Sequence, residues 1–301
     1  MTDTVHKDAE TPRGTGVFFH PEFARRDWPI IGARFSGFPA AMERQLLLDG
    51  VRLFEPQPVP DELLLRVHTA DYLQEVKRQW YFQGASLSVG GCVEAAERIA
   101  RGELRNALVF SVGAGHHAEA SWGGGGTYLS CIGPTVARLR EQHGIRRFAV
   151  IDTDSHHGNG TRAIFLGDTD VLHVCFCDDD RIEDEGSKID VNVGWRTRDD
   201  LYLAKVHKEF VERARSFGPF MIFHNFGIDT CQGDYGDRGL TRDFFLQLAE
   251  EVKACAEENL MEQERVYLSA LEAAERYIFE GDRLIIQYDG LQSSLTFEPL
   301  K

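Results

Sequence analysis

Several things are scarce in this chain, and each scarcity excludes something. No run of apolar residues approaches the roughly 18 needed to span a bilayer, so no membrane partner is expected. The six cysteines form no Cys-x-x-Cys pair and no framework spacing, which leaves thiols in a reducing, cytoplasmic setting as the plain reading. Positive charge is short: 33 Lys and Arg face 48 Asp and Glu, a net charge of −15. That balance argues against a nucleic-acid partner, which would need clustered bases to meet phosphates, and suits cationic or neutral small substrates. Gly123–Gly126 has no Gly-x-x-x-x-Gly-Lys-Ser/Thr pattern around it, so a phosphate cradle is a weak reading there. There is no repeat and no low-complexity tract. Residues 1–14 are polar and lack the apolar core of a signal peptide, which predicts a disordered N-terminal segment.

What is present is an ordinary globular composition: 301 residues, 43% apolar and 27% charged. Short apolar runs alternate with helical patterns. Strands are expected at Gly16–Phe19, Leu53–Phe54, Ala107–Val112, Phe148–Asp152, Val171–Cys177, Ile189–Val193 and Phe220–Asn225. Their nearly unbroken apolar character is that of parallel strands covered on both faces. Helices are expected at Asp61–Gln79, Gly91–Gly102, Pro134–His143, Asp199–Ser216 and Thr241–Glu258. This alternation predicts an α/β protein with a doubly wound, mostly parallel sheet and helices on both faces. The expected division is a catalytic domain over 15–258 and an atypical C-terminal segment over 259–301. That segment reads as a short helix, Tyr267–Tyr277, and two strands, Arg283–Tyr288 and Ser294–Phe297, which either extend the main sheet or form a separate meander.

Three polar clusters follow apolar strands, where α/β sheets bind ligands. The first is Asp152-Thr-Asp154-Ser-His156-His157-Gly-Asn159-Gly160. In an extended chain Asp152, Asp154 and His156 share one face, and a divalent cation would compensate such a group. A polar turn after a strand is the bland alternative. The second is Gly115-His116-His117-Ala118, whose glycine-flanked loop lets both histidines line one cavity; two surface histidines would look the same. The third is Asn225-Phe-Gly-Ile-Asp229, with Asp234 and Asp237 in the glycine-rich loop beyond. An isolated Asp there is usually a turn residue. Its weight comes from the other clusters ending strands of the same sheet.

Together these blocks, with Leu63–Tyr72 and Gly90-Gly91, resemble the histone deacetylase superfamily of the arginase/deacetylase fold over roughly residues 16–256. Trp195–Leu203, running on to Asn225–Asp229, looks most like the class IV deacetylases and their bacterial relatives. The resemblance implies that Asp154, His156 and Asp229 hold Zn²⁺ or another divalent metal, with His117 as general base and then acid and His116 beside the substrate carbonyl. It implies Asp152 as the partner of His116 and contributor to a K⁺ site, and Asn159 as the partner of His117. The implied substrate is an acylated amine, acetyl-lysine or an acetylpolyamine.

Three departures stand out. Gly125-Gly126-Thr127-Tyr128 replaces a block that carries a tunnel-wall Phe, so the acyl channel is expected to be wider. Cys175-Phe176-Cys177 replaces a Ser-Leu-His cation loop. No Gly-Gly-Tyr ends a last catalytic strand; Tyr288 is the one tail tyrosine placed to substitute, and the stretch Tyr267–Pro299 more nearly resembles part of a META β domain. The expected activity is therefore a metal-dependent deacetylase weakened by a missing hydrogen-bond donor. The alternative is a degenerate deacetylase that binds acyl groups without turnover. An arginase-like ureohydrolase fits the histidine pair poorly.

Overall fold

The computed structural model describes residues 14–272, 276–280, 283–288 and 293–297, with side chains over residues 14–259. In chain order the elements are β1 (Thr15–Phe18), α1 (Glu43–Leu46), β2 (Val51–Phe54), α2 (Asp61–Leu64), α3 (Ala70–Lys77), α4 (Phe82–Ala100), β3 (Asn106–Val109) and α5 (Ile132–His143). Then come β4 (Phe148–Asp152), α6 (Asn159–Ile164), β5 (Val171–Cys177), β6 (Arg181–Glu183), β7 (Lys188–Asn192), α7 (Asp199–Val206), α8 (Glu212–Phe217), β8 (Met221–Asn225) and α9 (Arg242–Glu272). The chain ends in β9 (Arg276–Glu280), β10 (Arg283–Tyr288) and β11 (Ser293–Phe297).

The architecture is α/β with mostly parallel sheets, as the alternation predicts. The parallel strands fall into two sheets, β2-β1-β3 and β6-β7-β5-β4-β8, the second carrying β6 as an antiparallel edge. Alternation along the strands sends side chains to two faces. Ala149, Ile151, Leu172, Val174, Phe176, Ile189 and Val191 pack beneath α7, α8 and α9. Phe148, Val150, Val171, Met221 and Phe223 face α4 and α5 through Ala96, Ile132, Val136 and Leu139. Helices therefore cover both faces, and the central strands β4 and β5 are buried throughout.

The helix expected at Gly91–Gly102 starts nine residues earlier, at Phe82, and ends at Ala100; three other helices differ from the sequence pattern for local reasons. Asp61–Gln79 is broken after α2, because the side chain of Thr69 accepts a bond from the amide of Tyr72 and starts α3 afresh. Asp199–Ser216 is one helical run with a wider π turn over His207–Val211. Thr241–Glu258 continues unbroken to Glu272, so the expected short helix over Tyr267–Tyr277 is the end of α9 followed by β9. The strands β9, β10 and β11 form an antiparallel sheet of their own and do not extend the parallel one. The expected disorder of the N-terminus falls on residues that, up to 13, lie outside the described ones, as does the side chain of Tyr288.

Candidate active site

The polar clusters meet where β4, β8 and the loop after β3 end. Asp152 pairs in register with Asn225 of β8 and Cys175 of β5. The chain does not stay extended beyond Asp152, as the period-two argument assumed. The amide of Asp154 donates to Asp152 Oδ1 at 3.2 Å and the amide of His156 donates to Asp154 Oδ1 at 2.8 Å, two successive Asx-type turns. These turns separate Asp152 from Asp154 and His156. The last two converge instead with Asp229: His156 Nδ1 lies 3.0 Å from Asp154 Oδ1 and 3.0 Å from Asp229 Oδ2. The three donor groups lie within 4.8 Å of one another. Gly227 makes that approach possible, since a Cβ there would sit 2.3 Å from the Cα of Asp154.

Charge concentrates here. A hydrogen bond to Asp154 and the close approach of the Asp229 carboxylate push His156 up to about 10. Burial opposes ionisation of Asp154, but His156 and the charge of His116 overcome it and hold the carboxyl down at about 2. Two carboxylates thus draw one positive charge between them. Asp229 is buried, and its Oδ2 makes no bond of hydrogen-bond geometry. An orphaned buried carboxylate oxygen, a second carboxylate and an imidazole fit a divalent ion, which would take the place of the proton on His156.

The histidine pair lies alongside, with ring centroids 4.1 Å apart. His116 Nδ1 is 3.0 Å from Asp152 Oδ2, an oxygen that also accepts from Asn225 Nδ2 at 3.1 Å. Burial alone would lower the pKa of His116, yet the Asp152 carboxylate, with Asp154 and Asp229 behind it, raises it to about 9. His117 is shifted the other way: burial and the positive His116 keep it below the ordinary histidine value. Two similar rings are thereby shifted in opposite directions by their neighbours.

The tautomer of His117 follows from its neighbours. Asn159 Nδ2 donates to Glu119 Oε1 at 2.8 Å, and a carboxylate can only accept. The amide oxygen of Asn159 is therefore turned to His117 Nδ1 at 2.7 Å, so Nδ1 carries the proton and Nε2 keeps a free lone pair. Glu119 is in turn anchored through its backbone oxygen to His68 Nδ1 at 2.9 Å, while His68 Nε2 accepts from the amide of Ser130 at 3.1 Å.

Sequence reasoning missed three contributors. Glu119 directly follows the histidine block, and that adjacency was the available signal. Arg238, fully buried, holds the turn between Asp154 and His156 by donating to Ser155 Oγ at 2.8 Å, to the Ser155 carbonyl and to the Gly194 carbonyl at 3.0 Å. Tyr235 stacks on His156 at a centroid distance of 5.5 Å, between the two loop aspartates singled out above. Asp234 is taken up by an ion pair with Arg34, and Asp237 accepts the amides of Gly233 and Gly239, so both shape the loop instead of joining the donor group. Gly125, in the block lacking the tunnel-wall Phe, has φ +57° and lies against His117, where a Cβ would come 2.6 Å from the ring.

Comparison with known proteins identifies the family and the fold. The histone deacetylase domain profile matches residues 79–268. A histone deacetylase-like amidohydrolase of Pseudomonas aeruginosa is 28% identical over 249 residues, covering 73% of this chain and 63% of that protein. A probable deacetylase of Archaeoglobus fulgidus is 31% identical over 182 residues, covering 53% and 50%. The crystal structure of the HDA15 HD domain superposes with a TM-score of 0.70 at 20% identity over 81% of this chain and 82% of that one, a likeness of fold. The chain spans between half and 63% of the length of the two curated relatives. It belongs to the histone deacetylase domain family, whose named members are deacetylases and amidohydrolases. No helix among the described residues is long and apolar enough to cross a membrane.

Proposed function

We propose that this chain is a zinc-dependent amide hydrolase that removes an acetyl or other small acyl group from a lysine or polyamine nitrogen, working in the cytoplasm. The observation that carries the reading is the pairing of the Asp154, His156 and Asp229 donors with a neighbouring His117 whose Nε2 is free. When bound there, Zn²⁺ polarises an acyl carbonyl and brings the acidity of a water near neutrality. His117 accepts the proton at Nε2 and returns it to the departing amine. Asn159 and Glu119 keep Nδ1 protonated through that exchange. His116 stays cationic against Asp152 and offers Nε2–H on the carbonyl side. The net charge of −15 favours a cationic amine. K⁺ beside Asp152 belongs to the same reading and would rest on backbone carbonyls, because Cys175 stands where the family offers a serine.

The missing Gly-Gly-Tyr supports a second reading, a metal-containing protein that binds acyl groups without turnover. In the family that tyrosine supplies an oxyanion donor, and losing one such donor costs about 10²–10³ in rate. The test is turnover of a fluorogenic acetyl-lysine amide and its trifluoroacetyl analogue by zinc-loaded full-length chain. Slow acetyl turnover with an unusually large trifluoroacetyl advantage is the expected result, since the activated amide needs less oxyanion help. Zinc-loaded protein that binds both amides and turns over neither is the binding protein. Brisk acetyl-lysine turnover that survives Tyr288→Phe would mean that another group supplies the donor.

A further inference from the structure

On the sheet face that packs Phe148, Val150, Val171, Met221 and Phe223 against helices, the part formed by β5 and β7 is polar where apolar side chains are the default. His173, Cys175 and Cys177 alternate onto the same face of β5, and Lys188 and Asp190 onto the matching face of β7. Cys175 and Asp190 are Cα partners in the parallel ladder. Over them lies the loop leading into α6, which brings His157. The donor atoms of His157, Cys175, Cys177 and Asp190 all lie within 4.8 Å of one another.

We propose that these four residues form a second metal site, separate from Asp154, His156 and Asp229, that takes a thiophilic divalent cation, Zn²⁺ foremost.

Four observations carry this. The first is unsatisfied burial. Asp190 is 2% exposed and neither carboxylate oxygen makes a bond of hydrogen-bond geometry; the same holds for His157 Nε2. His157 Nε2 and Arg162 Nη1 come within 3.2 and 2.9 Å of Asp190, but off the axes a hydrogen bond needs. A buried carboxylate left so is costly, and a metal bond satisfies it.

The second is the donor set. Two sulfurs, an imidazole nitrogen and one carboxylate oxygen make a four-coordinate tetrahedral shell of the closed, structural kind. Sulfur selects zinc over the alkali and alkaline-earth cations that oxygen cages hold.

The third is charge. Two thiolates, one carboxylate, a neutral imidazole and a divalent ion leave one negative charge, which the buried Arg162 guanidinium balances from the Asp190 side.

The fourth is support for the sulfur. The amide of Gly158 donates to Cys175 Sγ at 3.3 Å, so Cys175 is an acceptor in this structure. The His157 side chain, 34% exposed, leaves an entry path to otherwise buried donors. A metal there ties β5 and β7 to the loop that also carries His156, and so steadies the active-site turn.

The experiment is Co²⁺ titration of the reduced, chelator-stripped full-length chain, read by absorbance and by bound metal. Thiolate-to-cobalt charge transfer appears in the near ultraviolet only when sulfur ligates, and the Asp154 site has no sulfur. The expected result is that band together with a second equivalent of Co²⁺, bleached by Zn²⁺. Asp154→Ala should lose one equivalent and keep the band, whereas Cys177→Ser should lose the other equivalent and the band. Because a serine in the core can misfold, the parent protein decides first: saturating Co²⁺ without the band overturns the site. So does a band that persists in folded Cys177→Ser protein.

Discussion

His156 and His157 are neighbours in sequence and serve two donor groups of opposite character. The His156 group has hard carboxylate donors, a half-exposed imidazole and the His117 ring beside it. The His157 group has two sulfurs and a carboxylate that are buried beneath a partly exposed imidazole, with a guanidinium beside them. A metal in the first would have three protein donors and an open position; a metal in the second would have its shell filled by protein. On the two proposals above, one strand-to-helix loop would serve reaction on one side and fixation on the other, according to which side chains the sheet presents to it.

The sharpest way to break this comparison is to remove each group's central residue. Asp154→Ala should abolish amide turnover and zinc retention at the first group, as metal analysis after mild chelation would show. His117→Ala should keep the metal and lose turnover by about two to four orders of magnitude. Equal metal loss in both variants would make His117 a ligand or a structural residue.

Next in size is Arg162→Met. It leaves Asp190 buried without its cation, and removing one partner of a buried pair costs about 3–5 kcal/mol. Denaturant unfolding in the presence of chelator should show that loss. Added Zn²⁺ should restore part of it by mass action, which would separate metal binding from a plain ion pair.

A smaller effect tests the hydrogen-bonded chain behind His117. Glu119→Ala frees the Asn159 amide to turn over, and the lost bond to an ionised group is worth about 1.5–3 kcal/mol, so kcat should fall roughly ten- to hundredfold. Glu119→Gln keeps an acceptor oxygen and should be milder. Metal content should be unchanged in both.

The smallest effect concerns acid. Burial lowers the pKa of His68, whose Nε2 must stay unprotonated to accept from Ser130. Below about pH 6.5 the unfolded chain takes up this proton before the folded one does, so stability is full above that pH and declines beneath it. Comparing thermal unfolding at neutral and mildly acidic pH should show this slope, and His68→Gln should flatten it.

The residue pattern by itself determined the alternation of strands and helices, the faces that pack, and the three polar clusters that end strands. Those are local properties: a period of two or 3.6, a cap, a glycine, a run of short polar residues after an apolar strand. Phe148–Asp152 and Val171–Cys177 could be read to the residue because each is a short apolar run, rich in β-branched and aromatic residues and bounded by polar ones. Tertiary structure alone decided which members of each cluster meet. Asp152 and Asp154 share a face in an extended chain, but two Asx turns send one to His116 and the other to His156. Cys175 and Cys177 read as inert thiols until the parallel register set Cys175 beside Asp190, fifteen positions on, and the loop into α6 brought His157 over both. Arg162, Arg238 and Glu119 act across wider gaps still. Register and loop placement come from summed packing between distant segments, and no window along the chain contains both sides of such a contact.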